Sequence, residues 1–184
     1  MAENGPLEVR ISGYGGQGVV LAGLLLGKAA SLYDNKAAVF TQSYGPEARG
    51  GASCADVVVA NHSVDYPLVY KPDVLVALFQ EAYVKYRPLL KPGGILILES
   101  DLVQIAKDEV PHYNLPATKI AEGLGKKIVA NVVVLGFLVG VTNVVSRESA
   151  EESIRNTVKK HTIDLNLRAF DAGFSRAQTE HVAS

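Results

Sequence analysis

The chain has 184 residues, 48% of them hydrophobic, which is enough apolar material for one ordinary core. Its 18 Lys and Arg against 19 Asp and Glu leave no net attraction for a polyanion or an acidic membrane surface, so neither nucleic acid nor membrane is the expected partner. Cys54 is the single cysteine, which excludes an internal disulfide, a Cys-rich zinc site and a four-thiolate iron–sulfur cluster held by this chain.

Met1 to Glu8 has neither a basic n-region nor an apolar h-region, and a cytoplasmic location is expected. Leu7 to Ser12 is short and partly β-branched and runs into a glycine cluster, the pattern of a first strand entering a tight turn. From Val19 to Ala29 the apolar residues keep helical spacing for about three turns. Ala37–Thr41, Ala55–Ala60, Val74–Phe79 and Ile95–Glu99 are apolar runs of the kind found in strands covered on both faces. Between and after them, helices are predicted over Glu81–Leu90, closed by Lys91-Pro92-Gly93-Gly94, and over Asp101–Lys107, capped by Ser100 or Asp101. An edge strand at His112–Leu115 and a helix over Thr118–Leu124 follow.

Ile128 to Val145 is apolar apart from Asn131, Thr142 and Asn143 and is about long enough to span a bilayer. Its Val and Gly content and its three polar residues favour a buried helix instead. Ser149–His161 and a polar segment to Ala177 complete a helical end that reads as peripheral. The whole pattern predicts an α/β fold: a single Rossmann-like domain over residues 1–184, with a mostly parallel sheet covered by helices and a helical C-terminal segment.

Two loops carry the functional signal. Gly13-Tyr14-Gly15-Gly16-Gln17-Gly18 has the spacing G-x-G-x-x-G between a strand and a helix, where glycine permits positive φ and lets another group approach backbone N–H groups at the helix start. A dinucleotide site also asks for an acidic residue at the end of the second strand, yet Phe40, Thr41 and Gln42 stand there and Asp34 lies before the strand. A loop that meets another subunit or a different phosphate ligand ranks first, a structural turn second, and NAD or FAD binding third.

Thr41 to Ala52 leaves the second strand and should open on the same sheet edge. It combines the Gly45-Pro46 turn with Ser43, Tyr44, Glu47, Arg49 and the Gly50-Gly51 end, polar groups dense enough for a recognition surface. Arg49 has the fork for a carboxylate or phosphate, and Glu47 or a residue across an interface is its plainest partner; a solvated surface ion pair is the bland alternative.

With both loops quoted, the sequence resembles the gamma subunits, or gamma domains, of 2-oxoacid:ferredoxin oxidoreductases. Gly13-Tyr14-Gly15-Gly16-Gln17-Gly18-Val19 and Gln42-Ser43-Tyr44-Gly45-Pro46-Glu47-Ala48-Arg49-Gly50-Gly51 occur in order, and the likeness covers most of the chain, fading beyond about Arg147. The resemblance implies a complex that decarboxylates a 2-oxoacid on thiamine diphosphate with Mg²⁺, passes electrons through 4Fe-4S clusters to ferredoxin, and transfers the acyl group to coenzyme A. It implies alpha and beta, or alpha, beta and delta, partner subunits that hold the diphosphate and clusters. The gamma part then helps enclose the coenzyme A and active-site region with Gly13, Gly15, Gly16, Gln17, Gly18, Ser43, Tyr44, Gly45, Glu47, Arg49, Gly50 and Gly51. The form of the second loop looks more like the 2-oxoglutarate or branched-chain type than the pyruvate type. The isolated chain is expected to be inactive, and a homodimer is open to it; a free-standing dinucleotide- or coenzyme A-binding protein is the alternative.

Other chemistry is thin. His62, His112, His161 and His181 lack metal-ligand spacing and read as surface or loop residues. Ser12 and Ser43 lack a G-x-S-x-G elbow. Cys54, at the start of an apolar strand, reads as buried packing rather than as a nucleophile. Tyr83 and Tyr86 either face a partner or pack half-buried.

Overall fold

The computed structural model describes residues 5–44, 52–105, 111–180 and 182. Six strands form one sheet: β1 (Leu7–Tyr14), β2 (Ala37–Tyr44), β3 (Ala52–Ala60), β4 (Val74–Ala77), β5 (Ile95–Glu99) and β6 (Tyr113–Leu115), in the order β2-β3-β1-β4-β5-β6. β1, β4, β5 and β6 run parallel, while β3 lies antiparallel between β1 and β2. The connection over residues 45–51 explains the antiparallel pair, because a parallel crossover takes a dozen or more residues.

Alternation along the central strands divides the interior in two. Val9, Ile11, Val74, Val76 and Ile97 face one layer, while Leu75, Ala77, Leu96 and Leu98 face the other, so the strands are apolar on both sides as a covered parallel sheet demands. The first layer contains α1 (Val19–Lys28), α3 (Ala117–Gly123), α4 (Ala130–Thr142), α5 (Arg147–Arg155) and α6 (Ile163–Thr179). The second holds α2 (Gln80–Tyr86), through Ala82 and Tyr83. A π-helical turn at Ala29–Tyr33 ends α1, and Phe40 of β2 packs over Gly23, where a Cβ would stand 2.9 Å from the ring.

On the second face, Arg10 of β1 sits opposite Asp56 of β3 and pairs with it through two bonds of 2.8 and 2.7 Å. The same guanidinium donates to the Val69 carbonyl at 2.5 Å and lies 4.8 Å from the Tyr86 ring centroid. Its two polar partners and its ring contact come from different parts of the chain, so this one side chain ties β1, β3, the 61–73 segment and α2 together.

Three expectations are corrected. Asp101–Lys107 is not a helix over its described part: the amides of Leu102 and Val103 both donate to the Glu99 carbonyl, and the Gln80 side chain clamps both backbone groups of Gln104, at 2.7 and 3.1 Å. Residues 106–110 lie outside the described ones. The C-terminal helix is not peripheral, because Ala169 and Phe170 of α6 are fully buried and its Gly173 meets the backbone of Val133 and Phe137 in α4. His112 is buried rather than on the surface, with a ring nitrogen 3.2 Å from the Asn114 amide. α4 itself is shorter than a membrane span, and among the described residues no helix is long and apolar enough to cross a bilayer.

Candidate functional site

The glycine loop follows β1 directly, and the side chains of Gln17 and Asn131 fix its geometry. Gln17 folds back so that its carbonyl oxygen accepts from the Tyr14 amide at 2.6 Å while its amide donates to the Leu78 carbonyl at 3.3 Å, bridging the ends of β1 and β4. Gly13 leaves room for this fold, since a Cβ there would stand 2.7 Å from the Gln17 oxygen and 2.6 Å from Val19. Gly18 caps α1 at φ 72, and its carbonyl accepts from the Asn131 side chain of α4 at 3.2 Å. A Cβ at Gly18 would lie 2.5 Å from that same amide nitrogen, so both the left-handed backbone and the close approach of α4 demand glycine.

Gly15 and Gly16 form the exposed tip, and Tyr14 is exposed with its ring 4.0 Å from Phe79. Hydrogen bonding to Glu81 pushes the Tyr14 phenol above its ordinary value. Ser43 and Tyr44 prove to be the last residues of β2 rather than loop residues, paired with Cys54 and Ser53 of β3. Both are exposed. Ala52, where β3 begins, is the register partner of Tyr14, so the start of β3 stands beside the glycine loop. Gly45, Glu47, Arg49, Gly50 and Gly51 themselves lie outside the described residues.

The sheet order also bears on the dinucleotide reading. In the dinucleotide fold the second strand neighbours the first, which puts its terminal carboxylate beside the loop. Here β3 intervenes, so the end of β2 is one strand further away, and Asp34 is engaged elsewhere, with Lys36 at 2.9 Å and Ser149 at 3.0 Å. Cys54 is buried, and burial together with the Asp56 charge pushes its thiol up to about 12, far from a thiolate that would ligate a metal or attack a substrate. Among the described residues no cluster of three His, Cys, Asp or Glu side chains has a metal-binding arrangement.

A cleft of about 410 Å³ opens at the C-terminal ends of β1, β4 and β5. Tyr14, Gly16 and Gln17 form one wall, Leu78 and Glu99 the floor, and Thr118, Ile128 and Asn131 the far side. The crossovers after β1 and β4 leave toward opposite faces, which makes this the position where ligands of open α/β sheets bind. Another cleft lies against Gly5, Asp73, Lys91 and Gly94, at the opposite ends of the strands. Glu99 was legible as the end of a strand but not as a site residue; a carboxylate closing a buried apolar strand, at the edge where ligands gather, was the available signal. Asn131 was noted only as a polar interruption of an apolar stretch.

Compared with known proteins, the sequence matches the pyruvate ferredoxin/flavodoxin oxidoreductase family over residues 8–176, through α5 and α6 and past the point near Arg147 where the likeness was expected to fade. It is 51% identical to the 2-oxoglutarate synthase subunit KorC of Methanocaldococcus jannaschii, over 93% of this chain and 94% of that one. Against the pyruvate synthase subunit PorC of the same organism the identity is 31%, over 92% and 96%. A solved gamma subunit of a keto/oxoacid ferredoxin oxidoreductase from Geobacter sulfurreducens superposes with a TM-score of 0.84 at 43% identity, covering 94% of this chain and 99% of that one.

Proposed function

Because the chain belongs to the pyruvate ferredoxin/flavodoxin oxidoreductase family, we propose that it is the gamma subunit of a 2-oxoglutarate:ferredoxin oxidoreductase, active only in complex with its partner subunits. The observation that carries the choice of oxoacid is the gap between 51% and 31% identity to two subunits from one organism, one of a 2-oxoglutarate synthase and one of a pyruvate synthase. The two relatives are matched over similar lengths, so the difference reflects sequence and not coverage.

The working surface is the sheet edge built by Tyr14–Gly18 and the facing ends of β2 and β3. Tyr14 and Tyr44 are exposed there, and exposed aromatic side chains on rigid strand ends are what subunit interfaces favour. Thiamine diphosphate, Mg²⁺ and the 4Fe-4S clusters belong to the alpha and beta, or alpha, beta and delta, subunits. The donor chemistry of this chain agrees, since a cluster asks for several thiolates and the chain has one thiol, buried and held protonated. Coenzyme A meets the complex at the glycine-loop edge, where the cleft supplies a concave site of small-molecule size. The complex works in the cytoplasm.

Purifying the complex through this chain and assaying ferredoxin reduction with 2-oxoglutarate, pyruvate and 2-oxoisovalerate tests the substrate. Turnover per mole should be at least tenfold faster with 2-oxoglutarate. Preference for pyruvate contradicts the assignment.

A further inference from the structure

The two faces of the sheet are covered unequally. Among the described residues the first face carries α1, α3, α4, α5 and α6, whereas the second carries a single helix, α2, of seven residues, flanked by the arm over residues 61–73. A sheet with parallel central strands asks for cover on both faces. The arm is held to its face from inside: the Arg10 guanidinium donates to the Val69 carbonyl at 2.5 Å, Val69 is buried, and the Lys91 amide donates to the Pro72 carbonyl at 3.0 Å. Around that buried residue the large side chains turn outward, with Tyr66, Leu68 and Tyr70 at 55%, 47% and 65% exposure. The rings of Tyr66 and Tyr70 stack at 5.9 Å with their hydroxyls 3.3 Å apart, so one phenol donates to the other and one O–H is left for an outside acceptor. Three large side chains in a row on an anchored support make a patch of the kind that marks an interface, unlike apolar residues scattered singly.

The end of α2 continues this surface, because the Tyr86 ring lies 4.8 Å from the Arg10 guanidinium and 4.9 Å from Lys85 Nζ. Lys71, Lys85 and Arg87 flank the arm and that ring without a carboxylate partner among the described residues, while the carboxylates of this face are taken, Asp56 by Arg10 and Asp73 by Lys91. An aromatic centre with a cationic rim fits a surface that is apolar at its middle, offers an oxygen acceptor there and is acidic at its margin. A second copy of this chain fits poorly, since two-fold pairing would set the cationic rim against itself. The ketoisovalerate oxidoreductase subunit VorA of Methanothermobacter thermautotrophicus is 37% identical over 91% of this chain, a match that takes up 35% of VorA. The rest of VorA is further protein permanently joined to the matching domain. We propose that Tyr66, Leu68 and Tyr70, rimmed by Lys71, Lys85 and Arg87, are the docking surface for a partner subunit of the oxidoreductase, the separate counterpart of the body that VorA carries in one chain. The inference rests on the reading that the chain works in a complex, and it assigns a second contact, on the face of the sheet and not at the glycine-loop edge.

Association of the full chain with the purified partner subunits is measured by biolayer interferometry for wild type, Leu68→Asp, Tyr70→Asp and the double variant Lys71→Glu/Lys85→Glu, each with an unchanged circular dichroism spectrum. Either aspartate should weaken association about thirtyfold or more, the scale of an interface hot spot. The double variant should weaken it as well and flatten its dependence on salt. Ferredoxin reduction should return to the wild-type rate once enough Leu68→Asp chain is added to saturate the partner subunits, which a defect in folding would not allow. Amide exchange of the wild-type chain reads the same surface without a substitution, and exchange across residues 66–70 should slow in the complex. Unchanged affinity of both aspartate variants, or unchanged exchange across 66–70, overturns the surface while leaving the complex intact. Failure of wild type to bind the partner subunits overturns the reading of a complex and this surface with it. A free chain that dimerises through the patch, losing the dimer but not the partner subunits in Leu68→Asp, assigns the patch to a second copy and overturns the proposal.

Discussion

Asp34 shows how little a single residue reveals before its neighbours are known. In sequence it is the nearest carboxylate upstream of the dinucleotide position at Phe40 to Gln42, and it stands on the wrong side of the strand. Folded, it accepts from the Ser146 amide at 3.3 Å and the Ser149 hydroxyl at 3.0 Å and pairs with Lys36, so it fastens the start of α5 to the end of the π-turn. Burial alone would raise its carboxyl, but Lys36, Ser146 and Ser149 outweigh that and hold it below its ordinary value. A carboxylate depressed in the folded state stabilises fully above its unfolded value, and that stability is lost as pH falls through the folded one. Asp34→Asn should therefore cost about 1–3 kcal/mol near neutrality, the usual worth of hydrogen bonds to a charged group. Thermal melts from pH 7 down should show the gap to wild type closing below about pH 3.9. A gap independent of pH would mean that Asp34 acts through packing instead. The Ser146 cap, which accepts from the Ser149 amide, was hidden for a related reason: the helix was expected to start two residues later.

At the scale of elements, the contact between α4 and α6 is made by glycines rather than by large side chains. Gly136 and Gly173 sit where each helix touches the other's backbone, and Gly140 lets Ala177 approach to 2.7 Å of a Cβ position. The apolar run of α4 made its burial legible, since ten of its thirteen residues are buried and a helix apolar all round belongs inside. What covers it was not legible, because α6 carries Asp164, Arg168, Asp171 and Arg176 on its outer side and hides a buried stripe of Asn166, Ala169, Phe170 and Gly173. Gly173→Ala would drive a methyl into the Val133 carbonyl, and overpacking of this kind costs about 1–3 kcal/mol or more. Gly123→Ala, at an open position ending α3, should be neutral or slightly stabilising. Comparable denaturant midpoints for the two variants would contradict close backbone packing between α4 and α6.

For the whole molecule, the strands and most helices followed from apolar runs and spacing, whereas the hairpin of β2 and β3 did not. Each run looks alike whichever way it points, and the length of the 45–51 connection was the feature that ruled out a parallel crossover. That the end of β2 and the start of β3 reach the sheet edge of the glycine loop follows from the strand pairing, in which Tyr44 lies opposite Ser53 and Ala52 opposite Tyr14. Glu99 at the cleft floor was not legible, since its meaning depends on Thr118, nineteen residues away, using both donors on one oxygen and leaving the other open. The account's central claim is that this edge functions only when partner subunits dock against it. Measuring 2-oxoglutarate- and coenzyme A-dependent ferredoxin reduction by the purified partner subunits, by this chain alone, and by the two together tests that claim most directly. Turnover should appear only on mixing; full activity of either component alone would contradict it.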